Sequence, residues 1–339
     1  TNAGSAGVNA SGAAFNEFEG LGGNDTITGN GDTRISYLNA LAGVTVTMTS
    51  AGAGTAHGTD PGDIADVGTD TFTGVSAVRG SDFADVIDGS ANPAGTAETL
   101  EGRGGNDVLI GGAGADTLTG GAGADFINGG DGNDTILIGV GDAAPGEIID
   151  GGAGFDRLVI NDPNVDLSTL TITNVEEIVL GSGVSAITLS GAQLAGVERI
   201  TQADGAAVTI NAASAGTYSL AGMTIDGIAT LNGSSGVDTL IGSSGDDILN
   251  GNGGDDVLHG GAGADTLNAD AGDDWMDAGS GNDHVIGGLG FDVASYVSAG
   301  GSVHIDIGIG TATGAGGTDT LDVEGAEGSN HDDVLKGGG

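Results

Sequence analysis

The sequence has no cysteine, only four prolines and six basic residues, and its aromatic residues make up 3% of the 339 positions. Without cysteine the chain can form neither disulfides nor thiolate zinc sites. Six scattered cations cannot build the basic patch that nucleic acid or an anionic membrane surface requires. No apolar run reaches the roughly 18 residues of a membrane span. The sequence therefore predicts no nucleic-acid partner, no membrane span and a stability that depends on something other than disulfides.

Glycine and aspartate dominate what is present. The chain contains 72 glycines, and its 48 acidic residues against 6 basic ones give a formal charge of −42. This composition is typical of disordered chains, but a strict period argues against disorder here. Thr1 is not an initiator residue, no apolar signal-peptide core follows it, and the chain stops within the glycine run 337–339. We therefore expect a piece of a longer protein.

A nine-residue repeat forms two uninterrupted blocks. Residues 102–137 contain four copies, such as GGAGADTLT, and residues 233–295 contain seven, such as GNGGDDVLH. Isolated copies occupy 20–28, 80–88, 151–159 and 328–336. Position 6 is Asp in every copy, and position 8 is a larger apolar residue everywhere except at Ala294. A fixed period of this kind predicts a repeat architecture.

Residue types within the repeat predict a β-solenoid. Positions 1 to 6 suit a glycine-rich turn, and positions 7 to 9 suit a three-residue strand whose middle side chain points inward. Nine residues then make a half coil, and each turn stacks on the turn eighteen residues away at one strand spacing, about 4.8 Å. Each position-6 Asp faces another Asp across that spacing.

The stacked aspartates predict a cation. Two carboxylates about 4.8 Å apart repel by roughly 3.5 kcal/mol at an effective dielectric of 20, and each half coil buries one sizeable apolar side chain worth about 1.5–3 kcal/mol. Ordering nine residues of backbone costs on the order of 9–18 kcal/mol. The coil should therefore not fold until a hard divalent cation joins the turns. Calcium suits a flexible all-oxygen site better than magnesium does.

The pattern GGxGxDxUx resembles the hemolysin-type, or RTX, calcium-binding nonapeptide. The resemblance implies an all-β, right-handed parallel β-roll or β-helix solenoid with calcium ions between stacked turns, here interrupted by wider calcium-free coils. It also implies export from a bacterium by a type I secretion system and a secreted, extracellular or cell-surface location. In the family one turn supplies the carbonyls of positions 2 and 4 with its Asp, and the turn eighteen residues on supplies the carbonyls of positions 1 and 3 with its own Asp.

Carried over to this sequence, the family rule implies seven to nine calcium ions. The seven-repeat block gives five sites, of which Ser243, Gly245 and Asp247 with Gly260, Ala262 and Asp265 is the clearest. The four-repeat block gives two, and two more pair Asp85 with Asp107 and Asp134 with Asp156 across thirteen-residue linkers. Ala269 and Ala278 replace glycine at position 1 of their repeats, and Phe83 replaces glycine at position 4 of the isolated copy at 80–88. The predicted metal residues are Asp85, Gly102, Gly104, Gly105, Asp107, Gly112, Gly114, Asp116, Gly120, Ala122, Asp125, Gly129, Gly130, Asp131, Gly132, Asp134, Gly151, Ala153, Asp156, Ser234, Gly236, Asp238, Ser243, Gly245, Asp247, Gly251, Asn252, Gly253, Gly254, Asp256, Gly260, Gly261, Ala262, Gly263, Asp265, Ala269, Asp270, Ala271, Gly272, Asp274, Ala278, Ser280, Asp283, Gly287, Leu289 and Asp292.

The segments between the blocks predict further strands. Residues 29–79 and 287–327 are two versions of one unit, in which Tyr37 aligns with Tyr296 and Asp70 with Asp319, and we interpret them as wider coils or short sandwiches. Residues 160–232 have apolar clusters about ten residues apart, which predicts a calcium-free β-helix of about twenty residues per coil. The expected division is 1–79, 80–159, 160–232, 233–295 and 296–339.

Catalytic motifs are missing from the sequence. The five histidines include no HExxH pair, and neither a GxSxG elbow nor a phosphate-binding GxxxxGK[ST] loop occurs. His259, His284 and Trp275 occupy outward strand positions, which favours surface roles, and an Asp ladder whose charge a metal shares leaves no free general acid. We therefore predict no enzyme activity for these residues and assign no catalytic residue.

The hypothesis from sequence is a non-catalytic, calcium-dependent β-solenoid region of a secreted bacterial protein that folds when it meets calcium outside the cell. One alternative is an adhesin or surface-layer segment that self-associates or binds a cell surface. A second is an accessory region of an extracellular enzyme whose catalytic domain lies outside these residues. Fold-level resemblance does not choose among these three.

Overall fold

The computed structural model describes residues 5–8, 14–59, 66–93, 95–163, 165–225, 227, 229–314 and 316–338. Contacts divide the chain into two compact units, residues 1–162 with 169–179, and residues 163–168 with 180–339. Within the described residues one helical turn, α1 (Gly191–Leu194), is the only α-helix. The predicted all-β parallel solenoid is confirmed, and the five-segment division stays a prediction.

The strands of the first unit follow one another at nearly every half coil. They are β1 (Ser5–Val8), β2 (Ala14–Phe18), β3 (Thr26–Thr28), β4 (Thr33–Ser36), β5 (Val44–Ser50), β6 (Ala53–Gly58), β7 (Thr69–Thr73), β8 (Ala77–Arg79), β9 (Val86–Asp88), β10 (Thr99–Gly104), β11 (Val108–Ala113), β12 (Thr117–Ala122), β13 (Phe126–Asp131), β14 (Thr135–Ile138), β15 (Ile148–Ala153), β16 (Arg157–Ile160), β17 (Thr171–Thr173) and β18 (Glu177–Leu180).

Alternate strands of the first unit form two sheets. One sheet has the order β1-β2-β4-β8-β10-β12-β14-β16-β18, and the other has the order β17-β15-β13-β11-β9-β5-β6-β7-β3. Val108 lies opposite Phe126 in the next coil, which gives a period of 18 residues, whereas Val86 lies opposite Val108, which gives 22. The longer coils contain the thirteen-residue linkers, so the predicted four-residue bulges are present.

The second unit repeats this arrangement. Its strands are β19 (Ala186–Leu189), β20 (Arg199–Gln202), β21 (Val208–Ala212), β22 (Thr217–Ser219), β23 (Thr224–Ile225), β24 (Ala229–Asn232), β25 (Thr239–Ile241), β26 (Asp247–Asn250), β27 (Val257–Ala262), β28 (Thr266–Ala271), β29 (Trp275–Ser280), β30 (His284–Leu289), β31 (Val293–Ser295), β32 (Val303–Asp306), β33 (Thr311–Gly314), β34 (Gly317–Asp322), β35 (Gly325–Glu327) and β36 (Val334–Lys336). The sheet orders are β19-β21-β24-β26-β28-β30-β34-β33-β32-β36 and β22-β25-β27-β29-β31-β35, and β20 pairs in parallel with β23.

Seven of the eleven strands in the regular blocks are six residues long, twice the predicted length. Strand β11, for example, contains positions 7 to 9 of one repeat and positions 1 to 3 of the next. The extra residues pair in register, as Gly112 does with Gly130, because glycines at these positions let the backbones of successive coils approach closely. The turn proper is therefore shorter than the sequence suggested.

The core is a stack of position-8 side chains, as predicted. Leu109, Leu118 and Leu258 are fully buried, and Ala294 is buried like them. Burial alternates along each strand, so the residues at positions 7 and 9 lie on the outer faces. A column of one apolar residue per half coil is the hydrophobic contribution that the sequence predicted.

The two wider units are antiparallel meanders inserted into a sheet, and neither a wider coil nor a short sandwich describes them. Strands β5, β6 and β7 run antiparallel to one another between β9 and β3. Strands β32, β33 and β34 do the same between β36 and β30. The alternating runs in these segments account for this, since half-buried strands can pair with sequence neighbours through short turns.

Within the described part of the chain no helix is long and apolar enough to cross a membrane.

Candidate metal centre

A ladder of aspartates connects each coil to the next. The backbone N–H of one position-6 Asp donates to the Oδ1 of the position-6 Asp in the following coil, at 2.7 to 3.0 Å. All nine pairs predicted from sequence make this contact: Asp85–Asp107, Asp107–Asp125, Asp116–Asp134, Asp134–Asp156, Asp238–Asp256, Asp247–Asp265, Asp256–Asp274, Asp265–Asp283 and Asp274–Asp292. Ala269 and Ala278 do not disturb the contacts of their repeats.

The second carboxylate oxygen of most of these aspartates is buried and has no hydrogen-bond partner. Ten aspartates that are each at most 3% exposed have an unpartnered Oδ2: Asp107, Asp116, Asp125, Asp134, Asp156, Asp256, Asp265, Asp274, Asp283 and Asp292. Buried polar atoms nearly always have a partner in native proteins, because leaving one without costs about 1–3 kcal/mol or more for a charged group. A column of such atoms therefore fits a ligand that supplies positive charge.

Backbone carbonyls lie beside these unpartnered oxygens. A Cβ placed on Gly102 would lie 2.2 Å from Asp107 Oδ2 and 2.7 Å from the carbonyl oxygen of Gly120, one coil on. Gly129 shows the same arrangement, 2.4 Å from Asp134 Oδ2 and 2.3 Å from the Gly151 carbonyl oxygen. Position 1 must thus be small, since the space beside its Cα is lined by oxygen atoms of two consecutive coils.

The turn conformation directs further carbonyls toward the next coil. Gly130 at position 2 and Gly132 at position 4 have φ of +105° and +142°. The carbonyl oxygens of Gly112 and Gly114 lie 2.0 and 1.4 Å from the Cβ positions that these glycines lack. Within the described residues no three acidic or histidine side chains gather at one point. A cation in the ladder would therefore be held by carboxylates together with backbone carbonyls, and the donor set of oxygens fits calcium.

Burial raises the pKa of the ladder carboxyls. Burial, opposed by the backbone hydrogen bond from Asp85 and reinforced by the Asp85 and Asp125 carboxylates, raises the pKa of Asp107 to about 8. The same causes raise the pKa of Asp265 to about 7 and the pKa of Asp134 to about 6. Without a cation the folded state thus favours protonated carboxyls.

Four turns with serine at position 2 differ from the glycine turns, and in one of them the Ser329 hydroxyl donates to Asp333 Oδ1 at 2.7 Å. Asp247 Oδ2 accepts hydrogen bonds from the Ser243 backbone N–H (2.6 Å) and hydroxyl (2.9 Å), which leaves its Oδ1 without a partner. Ser234 bonds Asp238 in the same way, and Ser81 donates from its N–H to Asp85 Oδ2 and from its hydroxyl to Oδ1. The pair that sequence made clearest, Asp247 with Asp265, therefore has one carboxylate oxygen already bonded within its own turn.

Two aspartates that the sequence did not place in the ladder belong to it. Asp25 N–H donates to Asp70 Oδ1 at 2.9 Å across 45 residues, and Asp283 N–H donates to Asp319 Oδ1 at 3.0 Å across 36 residues. The signal was the GTDT run shared by 68–71 and 317–320, in which the Asp has a buried apolar residue two positions later. The meander separates each pair in sequence, so a search at a period of eighteen does not find them.

Four glutamates also take ladder positions. Glu98 N–H donates to Asp116 Oδ1 at 2.8 Å, and the N–H groups of Asp156 and Asp292 donate to Glu176 and Glu324. Glu147 is 2% exposed and lies near Asp125. Burial, with the neighbouring Asp116 carboxyl, raises the pKa of Glu98 to about 7, while the side chains of Asn92 and Thr96 beside it act in the opposite direction.

Comparison with known families agrees with this geometry. A family model of the RTX calcium-binding nonapeptide repeat matches four stretches of the sequence, residues 11–33, 97–136, 232–267 and 259–294. The chain carries RTX calcium-binding nonapeptide repeats. No curated protein matches the chain. RTX repeats bind calcium in general, and the β-solenoid they build is a non-catalytic architecture.

The RTX ladder passes through each meander with the help of a buried tyrosine. Tyr37 donates from its hydroxyl to Asp70 Oδ2 at 3.3 Å, and Tyr296 donates to Asp319 Oδ2 at 2.8 Å. These are the residues that align between the two units. Burial, with the Asp319 carboxylate, raises the pKa of Tyr296 far above its ordinary value. The tyrosines therefore donate to the carboxylates at neutral pH.

Replacement of Tyr296 by Phe is expected to destabilise the calcium-loaded chain by about 1–3 kcal/mol, because Asp319 loses a charge-assisted hydrogen bond. Denaturant unfolding of Tyr296→Phe in saturating calcium measures the loss. Tyr218→Phe is the matched control, since Tyr218 is equally buried but donates to the Ser214 carbonyl oxygen and touches no ladder carboxylate. A calcium midpoint that shifts for Tyr296→Phe but not for Tyr218→Phe would connect this tyrosine to the ladder; equal midpoints would contradict the assignment.

Proposed function

We propose that this chain is a non-catalytic, calcium-binding RTX region of a secreted bacterial protein, and that it folds when it binds calcium. In this proposal the ladder carboxylates and the turn carbonyls at the predicted metal residues hold about seven to nine calcium ions between successive coils. The chain remains expanded where calcium is scarce and forms the solenoid where calcium is plentiful, outside the cell. Type I secretion machinery, as the RTX resemblance implies, is the export partner.

The column of buried, unpartnered Asp oxygens is the observation that supports this proposal most strongly. Burying carboxylates without a counter-charge is strongly unfavourable, and the chain offers only six basic residues. The first unit uses four arginines, Arg34, Arg79, Arg103 and Arg157, in ion pairs with side chains on outer strand positions or turns. None of the ten unpartnered Oδ2 atoms accepts a hydrogen bond from a basic side chain, so a soluble cation is the simplest source of positive charge.

The chemistry of the donor set favours calcium over magnesium. Carboxylate and carbonyl oxygens on flexible glycine turns accommodate the six to eight ligands of calcium, whereas magnesium demands a tight octahedron and retains its water. Extracellular modules of this chemistry bind calcium with dissociation constants of about 10⁻⁴–10⁻³ M. Because each coil contacts only its neighbours, binding along the stack is expected to be cooperative.

Small-angle scattering during a calcium titration tests the proposal. Protein stripped with EDTA and dialysed at neutral pH should have a radius of gyration approaching the value of about 66 Å for an unfolded chain of this length. Addition of millimolar calcium should reduce that radius steeply, and circular dichroism should report β-structure at the same midpoint. Magnesium at equal concentration is the control and should leave the chain expanded.

The calcium and magnesium titrations have three possible outcomes. A fall in radius that calcium produces and magnesium does not would support folding on binding. A compact, β-rich protein in EDTA at neutral pH, unchanged by calcium, would overturn it. Equal effects of the two ions would indicate general screening of the −42 charge, and would remove the case for specific calcium sites.

A further inference from the structure

The turn between β9 and β10 differs from the regular RTX turns in length and in its acidic residue. Residues 89–93 and 95–98, here called the Glu98 turn, stand where a regular repeat has its six-residue glycine turn, and Glu98 occupies the Asp position. Its backbone follows the ladder rule: Glu98 N–H donates to Asp116 Oδ1, and the Thr117 N–H donates to the Glu98 carbonyl oxygen, both at 2.8 Å. The Glu98 turn thus stacks on the turn of residues 111–116 as a regular turn would.

Carbonyl groups of the Glu98 turn occupy the places of regular ligand carbonyls. The Thr96 carbonyl oxygen lies 1.5 Å from the Cβ position of Gly114, and the Gly89 carbonyl oxygen lies 2.4 Å from that of Gly112. One coil further on, the Gly114 and Gly112 carbonyl oxygens bear the same relation to Gly132 and Gly130, at 1.4 and 2.0 Å. The bulge therefore leaves these carbonyl oxygens in the same positions, relative to the next coil, as those of a regular repeat.

Two buried polar side chains in the Glu98 turn lack hydrogen-bond partners. Glu98 is 4% exposed and its Oε2 has none, and Asn92 is also 4% exposed with neither amide atom hydrogen-bonded. Asn92 lies beside the Glu98 carboxyl, and Asp116 Oδ2 is a third buried oxygen without a partner. A buried amide without partners is rare, because its desolvation is not compensated.

The other bulged turn with a glutamate shows that length alone does not create such atoms. Residues 138–147 carry Glu147 at the Asp position, yet the Ala144 N–H donates to Glu147 Oε2 at 3.2 Å. That turn contains no asparagine, and Glu147 has no buried side-chain atom without a partner. Of the two bulged turns, only the Glu98 turn has an unpartnered amide and an unpartnered glutamate oxygen among its described residues.

We propose that the Glu98 turn and residues 111–116 hold a further divalent cation of the calcium class, with the carboxylates of Glu98 and Asp116 and the side-chain oxygen of Asn92 as ligands. The carbonyls of Thr96 and Gly89 complete the oxygen donor set. An amide oxygen is a ligand that calcium accepts readily, and the longer glutamate spans the wider turn. This inference rests on the proposed function, since it adds one ion to the same ladder.

Counting bound ions in the full chain by native mass spectrometry tests the site. The wild-type chain in calcium is expected to hold one ion more than Glu98→Gln and than Asn92→Leu. Glu101→Gln, three residues away, is the matched control: it removes the same charge from a side chain that pairs with Arg79 on the outer face, and it should retain the full count.

Asn92→Asp is a variant that is expected to strengthen calcium binding, so a failure to fold could not mimic its effect. A carboxylate in place of the amide should keep the ion count and let the chain hold that ion at a lower free calcium concentration, by about tenfold or more. An unchanged count in both Glu98→Gln and Asn92→Leu would overturn the Glu98 site while leaving the calcium-binding function in place. A wild-type chain without bound calcium would refute the proposed function itself.

Discussion

In calcium-free solution, acidification from pH 8 to pH 5 is expected to increase the folded fraction of the chain. The pKa of an unfolded Asp is about 3.8, whereas burial raises the pKa of Asp107 to about 8, that of Asp265 to about 7 and that of Asp283 to about 6 in the folded state. A folded state that binds protons more tightly than the unfolded state loses stability as the pH rises. The contribution is complete below pH 4 and disappears between about pH 4 and pH 8.

Circular dichroism of stripped protein at pH 5, 6, 7 and 8 measures this dependence. Asp107→Asn is the matched variant: without the charge it should be more folded than the wild type at pH 8 in the absence of calcium, and should bind calcium more weakly. A folded fraction that is constant or rises with pH would contradict the conclusion that burial raises the pKa of the ladder carboxyls in the folded state.

Calcium should reverse the sign of the pH effect. A bound cation favours ionised carboxylates, so binding releases protons and the calcium midpoint should rise as the pH falls. Titrations at pH 6 and pH 8 in one buffer of constant ionic strength compare the two midpoints. Equal midpoints would mean that the ladder carboxylates do not titrate together with calcium binding.

Replacement of Gly132 by Ala is expected to cost several kcal/mol, far more than a glycine substitution in an open turn. The added Cβ would lie 1.4 Å from the Gly114 carbonyl oxygen, and φ at Gly132 is +142°. Backbone atoms cannot move aside without breaking contacts between the coils, so both the strand pairing and the carbonyl positions of the site would change. Calcium affinity should therefore fall together with stability.

Gly141→Ala separates the conformational part of that cost from the contact. Gly141 has φ of +80° with nothing within 4 Å of its Cβ position, so its replacement should cost only the roughly 1–2 kcal/mol of a left-handed residue. Chemical unfolding of both variants in saturating calcium gives the comparison. Similar losses for the two variants would show that the close approach of coils at position 4 is not required.

Much of the solenoid could be predicted because the repeat determines it locally. Leu109 and Leu258 point inward from the middle of their strands. Seven Asp pairs meet at a period of eighteen, and two more meet at 22 across the thirteen-residue linkers. The strand length was underestimated because positions 1 to 3 look like a glycine turn in sequence. Only the stacked backbone shows that these glycines pair in register across the coils.

The parts that sequence missed are those where spacing changes. Asp70 and Asp319 lie opposite their partners only because a meander returns the chain to the ladder, and antiparallel pairing of β5 to β7 has no signature at the period of the repeat. Glu98 stands where an Asp was expected, after a bulge that the sequence showed as a linker. Asn92 can be recognised as a candidate ligand only once its burial is known. Long-range register decides these positions, and composition does not.

Position 2 is more permissive than position 4, which bears on how such chains tolerate substitution. Arg103, Asn252 and Asp270 adopt positive φ at position 2, whereas glycine alone does so at position 4, as at Gly123 and Gly281. The space at position 4 is taken by the carbonyl oxygen of the previous coil, 1.6 Å from the missing Cβ in both cases. A Cβ at position 2 also meets a carbonyl oxygen of the previous coil, but at a longer distance, 2.0 Å at Gly130 against 1.4 Å at Gly132. Substitutions at position 4 are therefore expected to strain the contact between coils more severely.

The ladder contact between Asp N–H and Asp Oδ1 has the same donor, the same acceptor and the same spacing at successive coils. Loss of one whole coil, such as residues 111–128, would put Glu98 opposite Asp134 with the same pair of atoms in reach. Because each coil contacts only its neighbours, an added or deleted coil needs no compensating change elsewhere. The length of the solenoid can therefore change in steps of a complete coil while every remaining ladder contact keeps the same pair of atoms.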